Sequence, residues 1–570
     1  MQVVTPKQMN RIEERSEKLG VTKKQLMENA GKILADRIAS YTANESGSAP
    51  EDTSVVFLAG SGNNGGDCFA AASILVYKGF KVTVVSLVKP PATELAKEMA
   101  EKLPERVALV KGYRSENVET ALEAAELDYM TIHDKDINDL QKKKELTPVE
   151  SIMLSEKKRM AAVRRAVSEA DILVDGVFGT GFRGQLDKDI MSIFAISTGA
   201  YKIAVDVPSG GNSAVGTVSA GTFKADETIT FGYMKVGLAQ YPLRKFCGDI
   251  TVADIGIPAR ALDILDGERK YLRTDRAQLA GFPRSRERDS HKGNFGTVLV
   301  IAGSSSMRGA AAFAVMGALR SGAGMVRLAS VEKCIDTVAV LAPEATFIQL
   351  DEDDYGFMLF DDQNKSFTDA VEKASAIVIG CGMGVTNDTA AILRYVLENA
   401  NCPVVIDADG INCIASDIDI LVNKKTRAII TPHVGEMARL LSCENSMITD
   451  NRLVAAEKYA EKFGITVVLK GAGTVIADSK YTAVNHTGNP GMSRGGSGDI
   501  LAGIIGSAVA QGYSCFDASC AAVYIHGLAG DAAADKLGQE GMLPRDIVDC
   551  IPDSFSILRK KQTDLAEQAQ

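Results

Sequence analysis

The sequence predicts an α/β protein of at least two large domains built on parallel β-sheets. Short runs rich in Val and Ile alternate with longer Ala-rich segments of helical period along the chain, a pattern typical of βαβ units. At 570 residues the chain is also too long for one ordinary hydrophobic core. Both observations favour several parallel sheets covered by helices.

The candidate strands form two groups, separated by a polar, Arg-rich stretch over residues 261–293 that indicates a linker. The first group is SVVFLAG, KVTVVSL, DILVDGV, YKIAVDVP and GDITVADIG. The second is GTVLVIAG, GMVRLAS, AIVIGCG, PVVIDADG, RAIITPH and ITVVLKGAG. We therefore expect one domain over residues 1–268 and another over residues 272–560.

A charged segment near residues 120–165 interrupts the first domain between two predicted strands. Its composition favours a solvated, helical surface insertion without chemistry of its own. His133 lies in this segment without a partner at ligand spacing, which favours a surface histidine.

Composition and charge exclude several classes of protein. No apolar run approaches the roughly 18 residues of a membrane span, and the N terminus lacks the apolar centre of a signal peptide. Thr5, Pro6 and Gln8 instead predict a capped helix start there. The net charge of −10 argues against nucleic acid as a partner, and ten scattered cysteines indicate reduced, mostly buried thiols. We expect a cytoplasmic protein with no membrane partner.

The first predicted turn contains Gly60, Gly62 and Gly65, which match the loose GxGxxG pattern of dinucleotide-binding folds. The next strand, however, ends without the acid that a ribose would require, so a conventional NAD site is doubtful. NNGGD at residues 63–67 is more specific, because two amides and a carboxylate in a tight turn can hold a cation or a polar ligand.

Two later strand ends, VDGVFGTGFRG and VDVPSG, deliver Asp175 and Asp206, each followed by a Gly or Ser turn. Either aspartate could be a plain turn cap. Ligands bind at the carboxyl ends of parallel strands, however, and three such turns on one sheet favour a site.

In the second half, NPGMSRGGSGDILAG (489–503) packs glycines around Asp499 at the start of an apolar helix. Main-chain amides freed by these glycines and the positive end of the helix suit a phosphate. A phosphate does not need an acid beside it, so Asp499 requires a separate explanation. Four further motifs follow other predicted strands: IGCGMG, IDADGIN, TPHVGEMARL and LKGAGTVIA. The GSSSMRGA motif lacks the Lys-Ser/Thr ending of a P-loop.

LMENAG (26–31), GNNGGD, FGTGFRG and DVPSG resemble, in order and spacing, the epimerase domain of the bifunctional NAD(P)H-hydrate repair enzymes. The resemblance implies a Rossmann-like three-layer sandwich with Asp206 as the catalytic proton carrier, and a K⁺ ion held by Asn64, Asp175 and Ser209. It implies that the hydrated nucleotide contacts Asn63, Asn64, Gly65, Gly66, Asp67, Gly179, Thr180, Gly181, Phe182, Arg183, Gly184, Gln185 and Asp206. Cys68 stands where the family usually has glycine.

Roughly residues 275–550 resemble the ADP- or ATP-dependent NAD(P)H-hydrate dehydratase domain, a ribokinase-like fold. The resemblance implies a substrate site of Ala310, Gly384, His433 and Asp499. It implies that the nucleotide, with Mg²⁺, is held by Lys470, Gly471, Ala472, Gly473, Thr474 and Gly498. His433 could instead be a capped loop histidine, and Glu436 either supports Mg²⁺ through water or caps its helix. MSRGGSGD departs from the family pattern, keeping a hydroxyl at Ser497 and adding Arg494.

Together the resemblances imply repair of hydrated NADH and NADPH by an epimerase fused to a dehydratase. Asp499, held ionised by the helix N terminus, would be the base of a phosphoryl transfer from ADP or ATP. The alternative is a ribokinase-like kinase of a small vitamin-precursor alcohol, fused to a Rossmann-like binding or scaffold domain. We also expect a homo-oligomer.

Overall fold

The computed structural model describes residues 2–113, 146–196, 199–275, 279 and 281–568. Two compact units share the chain, the first over Gln2–Glu268 and the second from Arg269 onward. Both are α/β units, which confirms the predicted class. His133 and residues 120–145 of the predicted insertion lie outside the described residues.

The first unit is built on a seven-stranded, fully parallel sheet. The strands of this sheet are β2 (Ser54–Ala59), β3 (Lys81–Ser86), β4 (Ala108–Lys111), β5 (Ile172–Gly176), β6 (Tyr201–Val205), β7 (Glu227–Phe231) and β9 (Asp249–Ala253). Two further strands of the unit, β1 (Gln2–Val4) and β8 (Met234–Lys235), lie outside it. The sheet order is β4-β3-β2-β5-β6-β7-β9, and β1 pairs with β8 in parallel.

Helices cover both faces of this sheet. They are α1 (Pro6–Lys18), α2 (Lys23–Tyr41), α3 (Asn63–Tyr77), α4 (Glu94–Glu101), α5 (Pro148–Ser168) and α6 (Lys188–Phe194). Val55 and Phe57 of β2 pack in one core with α2 and α3, whereas Val56 and Leu58 pack in the other with α5 and α6. Successive strand residues point to opposite faces, so β2 contributes to both cores of a three-layer sandwich.

Part of the predicted insertion is a structural helix of the sandwich. In α5 the side chains of Met160, Val163 and Val167 are buried in the core beneath the sheet. The interpretation of residues 148–165 as a solvated insertion is therefore wrong, because an apolar stripe at helical spacing lies among the charged residues. The predicted start of α1 is confirmed: Thr5 and Gln8 form a reciprocal capping box with Pro6 in the first turn.

The second unit has a mixed sheet. Its strands are β10 (Lys270–Arg273), β11 (Thr297–Ile301), β12 (Met325–Ser330), β13 (Thr346–Gln349), β14 (Ala376–Ile379), β15 (Val404–Ile406), β16 (Ala428–Ile430), β17 (Thr466–Leu469), β18 (Val475–Ala477) and β19 (Tyr481–Val484). In the order β13-β12-β11-β14-β15-β16-β17 all pairs are parallel, and β17-β18-β19 are antiparallel. β10, which lies in the predicted linker, pairs in parallel with β19.

The helices of the second unit are α7 (Arg308–Arg320), α8 (Glu332–Leu341), α9 (Lys365–Lys373), α10 (Asn387–Asn399), α11 (Asp409–Ser416), α12 (Asp419–Val422), α13 (Val434–Leu441), α14 (Asn445–Asp450), α15 (Arg452–Phe463), α16 (Ser497–Ala510), α17 (Cys515–Leu537) and α18 (Pro544–Gln568). α7 and α16 touch through their backbones, since a side-chain carbon on Gly503 would overlap the Ala314 carbonyl. This contact fixes the helix that carries Asp499.

Among the helices of the described residues, none combines the length and apolar composition needed to cross a membrane. All ten cysteines are free thiols and eight of them are buried, which confirms the sequence interpretation.

Candidate active sites

The turns after β2 and β5 touch each other in the first unit. The Gly60 N–H donates to the Gly176 carbonyl at 3.0 Å, and a side-chain carbon on Gly60 would overlap the Val177 carbonyl. Glycine is therefore required at this position. The NNGGD motif begins α3 directly beyond this contact, so the structure brings Asn63 to Asp67 to the predicted edge of the sheet.

Asn64, Asp175 and Ser209 are joined around Phe178. The Ser209 hydroxyl donates to Asp175 Oδ1 at 2.6 Å and accepts from Phe178 N–H at 2.8 Å. The Asn64 amide donates to the carbonyls of Phe178 and Val205, at 3.2 and 2.9 Å. Burial, partly opposed by hydrogen bonds from the Ser209 hydroxyl and from the N–H groups of Ser209 and Val177, raises the pKa of Asp175 to about 6. The oxygen atoms of these three residues are the donor type that a hard cation prefers.

The loop over residues 179–185 starts beside this cluster, because Gly179 lies against the Asn64 side chain. Thr180 accepts from Ser213 Oγ at 3.2 Å, and Gln185 Oε1 accepts from Ser219 Oγ at 3.0 Å. Most of the loop is at least partly accessible to solvent, namely Thr180, Gly181, Phe182, Arg183 and Gly184.

Cys68 is accommodated inside α3 rather than disturbing the turn. Its side chain is buried, and its Sγ occupies the space that a side chain on Gly176 would need. Because Gly176 has no side chain, the end of β5 leaves room for Cys68 in place of the glycine that is usual in the family.

Asp206 sits at the end of β6 in a strained conformation, with φ of 65°. Its Oδ1 accepts from Lys235 Nζ at 2.5 Å and from Thr230 Oγ1 at 3.0 Å. Asp67 and Glu13 are further acids near this centre. Burial and the nearby charges of Asp206 and Glu13 raise the pKa of Asp67 well above its usual value, and burial raises that of Glu13.

In the second unit, the ends of β15, β16 and β17 meet at Asp407. Its Oδ1 accepts from Lys470 Nζ and from Thr431 Oγ1, both at 2.6 Å. Burial alone would lower the pKa of Lys470, but the charges of Asp407 and Glu436 outweigh it and raise that pKa. The loop that was predicted to hold the nucleotide thus begins with an ion-paired lysine.

Asp499 lies in the first turn of α16, and Gly498 beside it faces Lys470 and Asp407. Burial, together with the charge of Asp407, raises the pKa of Asp499 to about 7. The expectation that the helix N terminus holds this carboxyl ionised is therefore wrong, because burial and a second acid outweigh the helix dipole.

His433 and Glu436 form a reciprocal cap at the start of α13. Glu436 Oε2 accepts from the His433 N–H at 2.8 Å, and His433 Nδ1 accepts from the Gly435 N–H at 3.0 Å. Burial and the charges of Lys470 and Arg439 lower the pKa of His433, which favours the neutral ring. The capping roles weighed for both residues are present, and Glu436 Oε2 also lies 4.0 Å from Lys470 Nζ.

Ala310 and Gly384 belong to neighbouring elements of the second unit. Ala310 lies in the first turn of α7, against Gly382 of the loop that follows β14. The Gly384 N–H donates to Asp409 Oδ2 at 2.9 Å, which links that loop to the end of β15. These contacts bring both residues to the same edge of the sheet as Asp407.

The loop from Lys470 to Thr474 is supported from beneath by Arg452. This buried guanidinium donates to the carbonyls of Ala472 and Leu469, at 2.5 and 3.0 Å. Within the loop, Thr474 Oγ1 donates to the Gly471 carbonyl at 3.0 Å, and Gly473 has a φ of 65°.

The glycine-rich stretch before α16 offers an unpaired polar atom. Ser497 Oγ is buried and has no hydrogen-bond partner among the described residues. A buried hydroxyl without a partner is costly, so a ligand oxygen at this point would satisfy it. Arg494, the charged departure from the family pattern, donates instead to the Glu540 carbonyl.

The same site contains a cluster of possible metal ligands. Cys381, Asp407 and Asp499 bring three possible ligand atoms within 4.8 Å of one another. A thiol is a poor ligand for Mg²⁺, and the Lys470 ammonium already neutralises Asp407. These residues do not fit a cage made of protein ligands alone.

Sequence reasoning missed Glu13, Lys235, Asp407 and Arg452. Asp407 lies within the quoted IDADGIN motif and could have been recognised as a second acid at a strand end. Glu13, Lys235 and Arg452 belong to no quoted motif, and the fold alone brings them to the two sites.

Comparison with known proteins agrees with this geometry. The family model described as YjeF-related protein N-terminus matches residues 23–237, and the one described as NAD(P)H-hydrate dehydratase matches residues 298–553. With the two sheets, these matches confirm a Rossmann-like first unit and a ribokinase-like second unit.

Two relatives are similar to this chain over nearly its whole length, and one solved structure is similar to about half of it. The bifunctional NAD(P)H-hydrate repair enzyme of Moorella thermoacetica is 32% identical over 92% of this chain and 91% of its own length. That of Escherichia coli is 32% identical over 94% and 90%. A Bacillus subtilis ADP/ATP-dependent NAD(P)H-hydrate dehydratase, co-crystallized with ATP/Mg²⁺, is 28% identical, with a TM-score of 0.44, over 50% of this chain and 98% of its own. The chain belongs to the family of bifunctional NAD(P)H-hydrate repair enzymes.

Proposed function

We propose that this chain returns hydrated NADH and NADPH to the intact cofactors, with ADP or ATP as phosphoryl donor. The first unit interconverts the R and S epimers at carbon 6 of the hydrated ring, and the second dehydrates the S form. The observation that carries the proposal is the environment of Asp499. Its carboxyl has a pKa of about 7, and the neighbouring residues include Lys470 and Ser497, whose hydroxyl is unpaired. A general base is most effective when its pKa is near the working pH.

In the second unit, Asp499 takes the proton of the ring hydroxyl as that oxygen attacks the terminal phosphorus of the nucleotide. The bond from phosphorus to the nucleotide's bridging oxygen breaks, and the nucleotide leaves one phosphate shorter. The ring nitrogen's lone pair then expels the phosphate, and loss of a proton from carbon 5 restores the double bond. Mg²⁺ bound with the nucleotide neutralises charge on the transferring group.

Each residue predicted to line this site has a role in the proposed reaction. Lys470 to Thr474 and Gly498 bind the nucleotide phosphates, with the Ser497 hydroxyl as a further donor. Ala310, Gly384, His433 and Asp499 line the hydrated nicotinamide, and the neutral His433 ring adds no charge there.

In the first unit, Asp206 carries the proton that leaves and returns with water at carbon 6. The loop over residues 179–185 and the motif over residues 63–67 enclose the nucleotide. K⁺ fits the oxygen atoms of Asn64, Asp175 and Ser209, which are already gathered around Phe178. The buried thiols suit a reducing, cytoplasmic setting. We also infer a homo-oligomer, which light scattering would test.

The test is a repair assay with the full chain. Mixed epimers of hydrated NADH are incubated with Mg²⁺ and either ADP or ATP, and the absorbance band of reduced nicotinamide is followed. We expect complete recovery of the band, one inorganic phosphate per turnover, and a preference for one donor. The comparisons favour this over the alternative kinase, which would retain a phosphorylated product and restore no absorbance.

A further inference from the structure

The Lys235 ammonium is enclosed at the centre of the first unit. Lys235 lies in β8 and only 1% of its surface is exposed. Its three contacts are Asp206 Oδ1 at 2.5 Å, the Phe231 carbonyl at 2.9 Å and Thr230 Oγ1 at 3.2 Å. An ammonium group has three N–H donors, so each donor has a partner.

The group that Lys235 contacts is the strained residue of this site. The φ of 65° at Asp206 is rare for a residue other than glycine, and such conformations persist only where surrounding bonds enforce them. The Asp206 N–H donates to the Ile229 carbonyl at 2.8 Å, and Val207 N–H donates to the Val205 carbonyl at 2.8 Å. Lys235 contacts Asp206 Oδ1 and also holds the β7 residues that approach it.

Carboxyl groups outnumber ammonium groups around Asp206. Glu13 of α1 and Asp67 of α3 are acids close enough for Asp206 to raise the pKa of each, and Lys235 opposes that effect on both. Three carboxyl groups from separate elements thus face one buried lysine. Without Lys235, an ionised Asp206 would stand against two further acids with no cation in contact with it.

We propose that Lys235 is the positioning residue of the epimerase centre, which is the charge partner of the Asp206 carboxylate and aims it so that it can take a proton from incoming water. The proposal rests on the epimerase function proposed above. The ring nitrogen's lone pair expels the carbon 6 hydroxyl, which leaves as water with a proton from Asp206. Water then adds to carbon 6 as the electron pair of the carbon–nitrogen double bond returns to nitrogen, and one proton of that water passes back to the Asp206 carboxylate. A purely structural ion pair would affect folding without changing the pH dependence of the reaction.

The experiment measures epimerisation by chromatographic separation of the two epimers across a pH series. Lys235→Met removes the charge and keeps the length of the side chain, and Lys235→Arg keeps the charge. We expect Lys235→Met to lower kcat at least about tenfold and to move the acidic limb of the pH profile upward by at least about one pH unit. Lys235→Arg should keep the limb where it is in the wild type. Lys224→Met, at an exposed lysine of the same unit, is the matched control and should change neither quantity.

Several outcomes would overturn the inference. A Lys235→Met enzyme that loses activity equally at every pH, with an unmoved acidic limb, gives Lys235 a structural role only. If Lys235→Met does not fold, Lys235→Gln carries the same test, because it can still donate hydrogen bonds but brings no charge. Nucleotide-dependent dehydration by the second unit should persist in every variant. A wild-type chain that interconverts no epimers would refute the proposed function itself, which is a different result.

Discussion

Lys470 Nζ lies 2.6 Å from Asp407 Oδ1, and only 2% of the Asp407 side chain is exposed. The pair joins the end of β15 to the end of β17, and Thr431 donates to the same oxygen from the end of β16. Three neighbouring strand ends therefore depend on one buried carboxylate, at the point where the nucleotide loop begins.

Asp407→Asn should destabilise the second unit, because it leaves the Lys470 ammonium without its charge partner. Breaking a fully buried ion pair costs about 3 to 5 kcal/mol, and we expect the lower end since 20% of the Lys470 side chain is exposed. Denaturant unfolding of the full chain measures the change. Asp351→Asn, at an exposed aspartate, is the control; equal stability of the two variants would contradict the role of the pair.

Asp499→Asn should stabilise the second unit at neutral pH. The carboxyl has a pKa of about 7 in the folded chain, against 3.8 as the reference value, so between these values the folded state holds a proton that the unfolded state releases. Wild-type stability therefore falls as pH rises through this window. Asparagine does not titrate, and its advantage should grow between pH 4 and pH 8 to at most about 4 kcal/mol. An advantage independent of pH would contradict the assigned ionisation.

The strands, the order of the motifs and the turns at the sheet edges could be predicted, because each depends on a continuous segment. The side chains of Val55 to Leu58 alternate between the two faces of the sheet, and Gly60 by itself identifies a tight turn. The ionisation of Asp499 could not be predicted from its own helix, since burial and Asp407, which follows β15, dominate it. Lys235 and Glu13 are single residues outside any motif, and only the folded sheet places them beside Asp206 and Asp67.

Arg452→Met should weaken nucleotide binding more than it slows chemistry. The guanidinium supports the carbonyls of Leu469 and Ala472 from beneath the loop, and it does not belong to the set predicted to touch ligands. Loosening that loop should raise the KM for ADP or ATP several-fold, with a smaller change in kcat. The assay is nucleotide-dependent recovery of reduced-nicotinamide absorbance. A lower kcat with an unchanged KM would contradict this role.

Ser209→Ala should reduce the dependence of epimerisation on potassium. The hydroxyl bonds to Asp175 Oδ1 and Phe178 N–H, so its removal takes away one cation ligand and the bond that orients another. We expect the wild-type rate to fall when K⁺ is replaced by a bulky organic cation, and the variant to be slow in both salts. Dehydration in the same samples is the internal control. Equal wild-type epimerisation in the two salts would count against the cation site.

The sharpest prediction sets Asp499→Asn against Asp206→Asn. Asparagine keeps the size of the side chain and removes its basicity, and a positioned base typically contributes ~10² to 10⁴ in rate. Asp499→Asn should nearly abolish nucleotide-dependent dehydration and leave interconversion of the epimers at the wild-type rate, whereas Asp206→Asn should do the reverse.

The two readouts are independent, since absorbance reports dehydration and chromatography reports the epimers. The wild-type dehydration rate should also rise with pH and level off above about 7, because Asp499 accepts the hydroxyl proton only when it is ionised. Asp499→Asn should remove this rise along with the activity. If it retains more than about a tenth of the wild-type rate, a level that loss of a general base does not allow, Asp499 is not the base of the phosphoryl transfer.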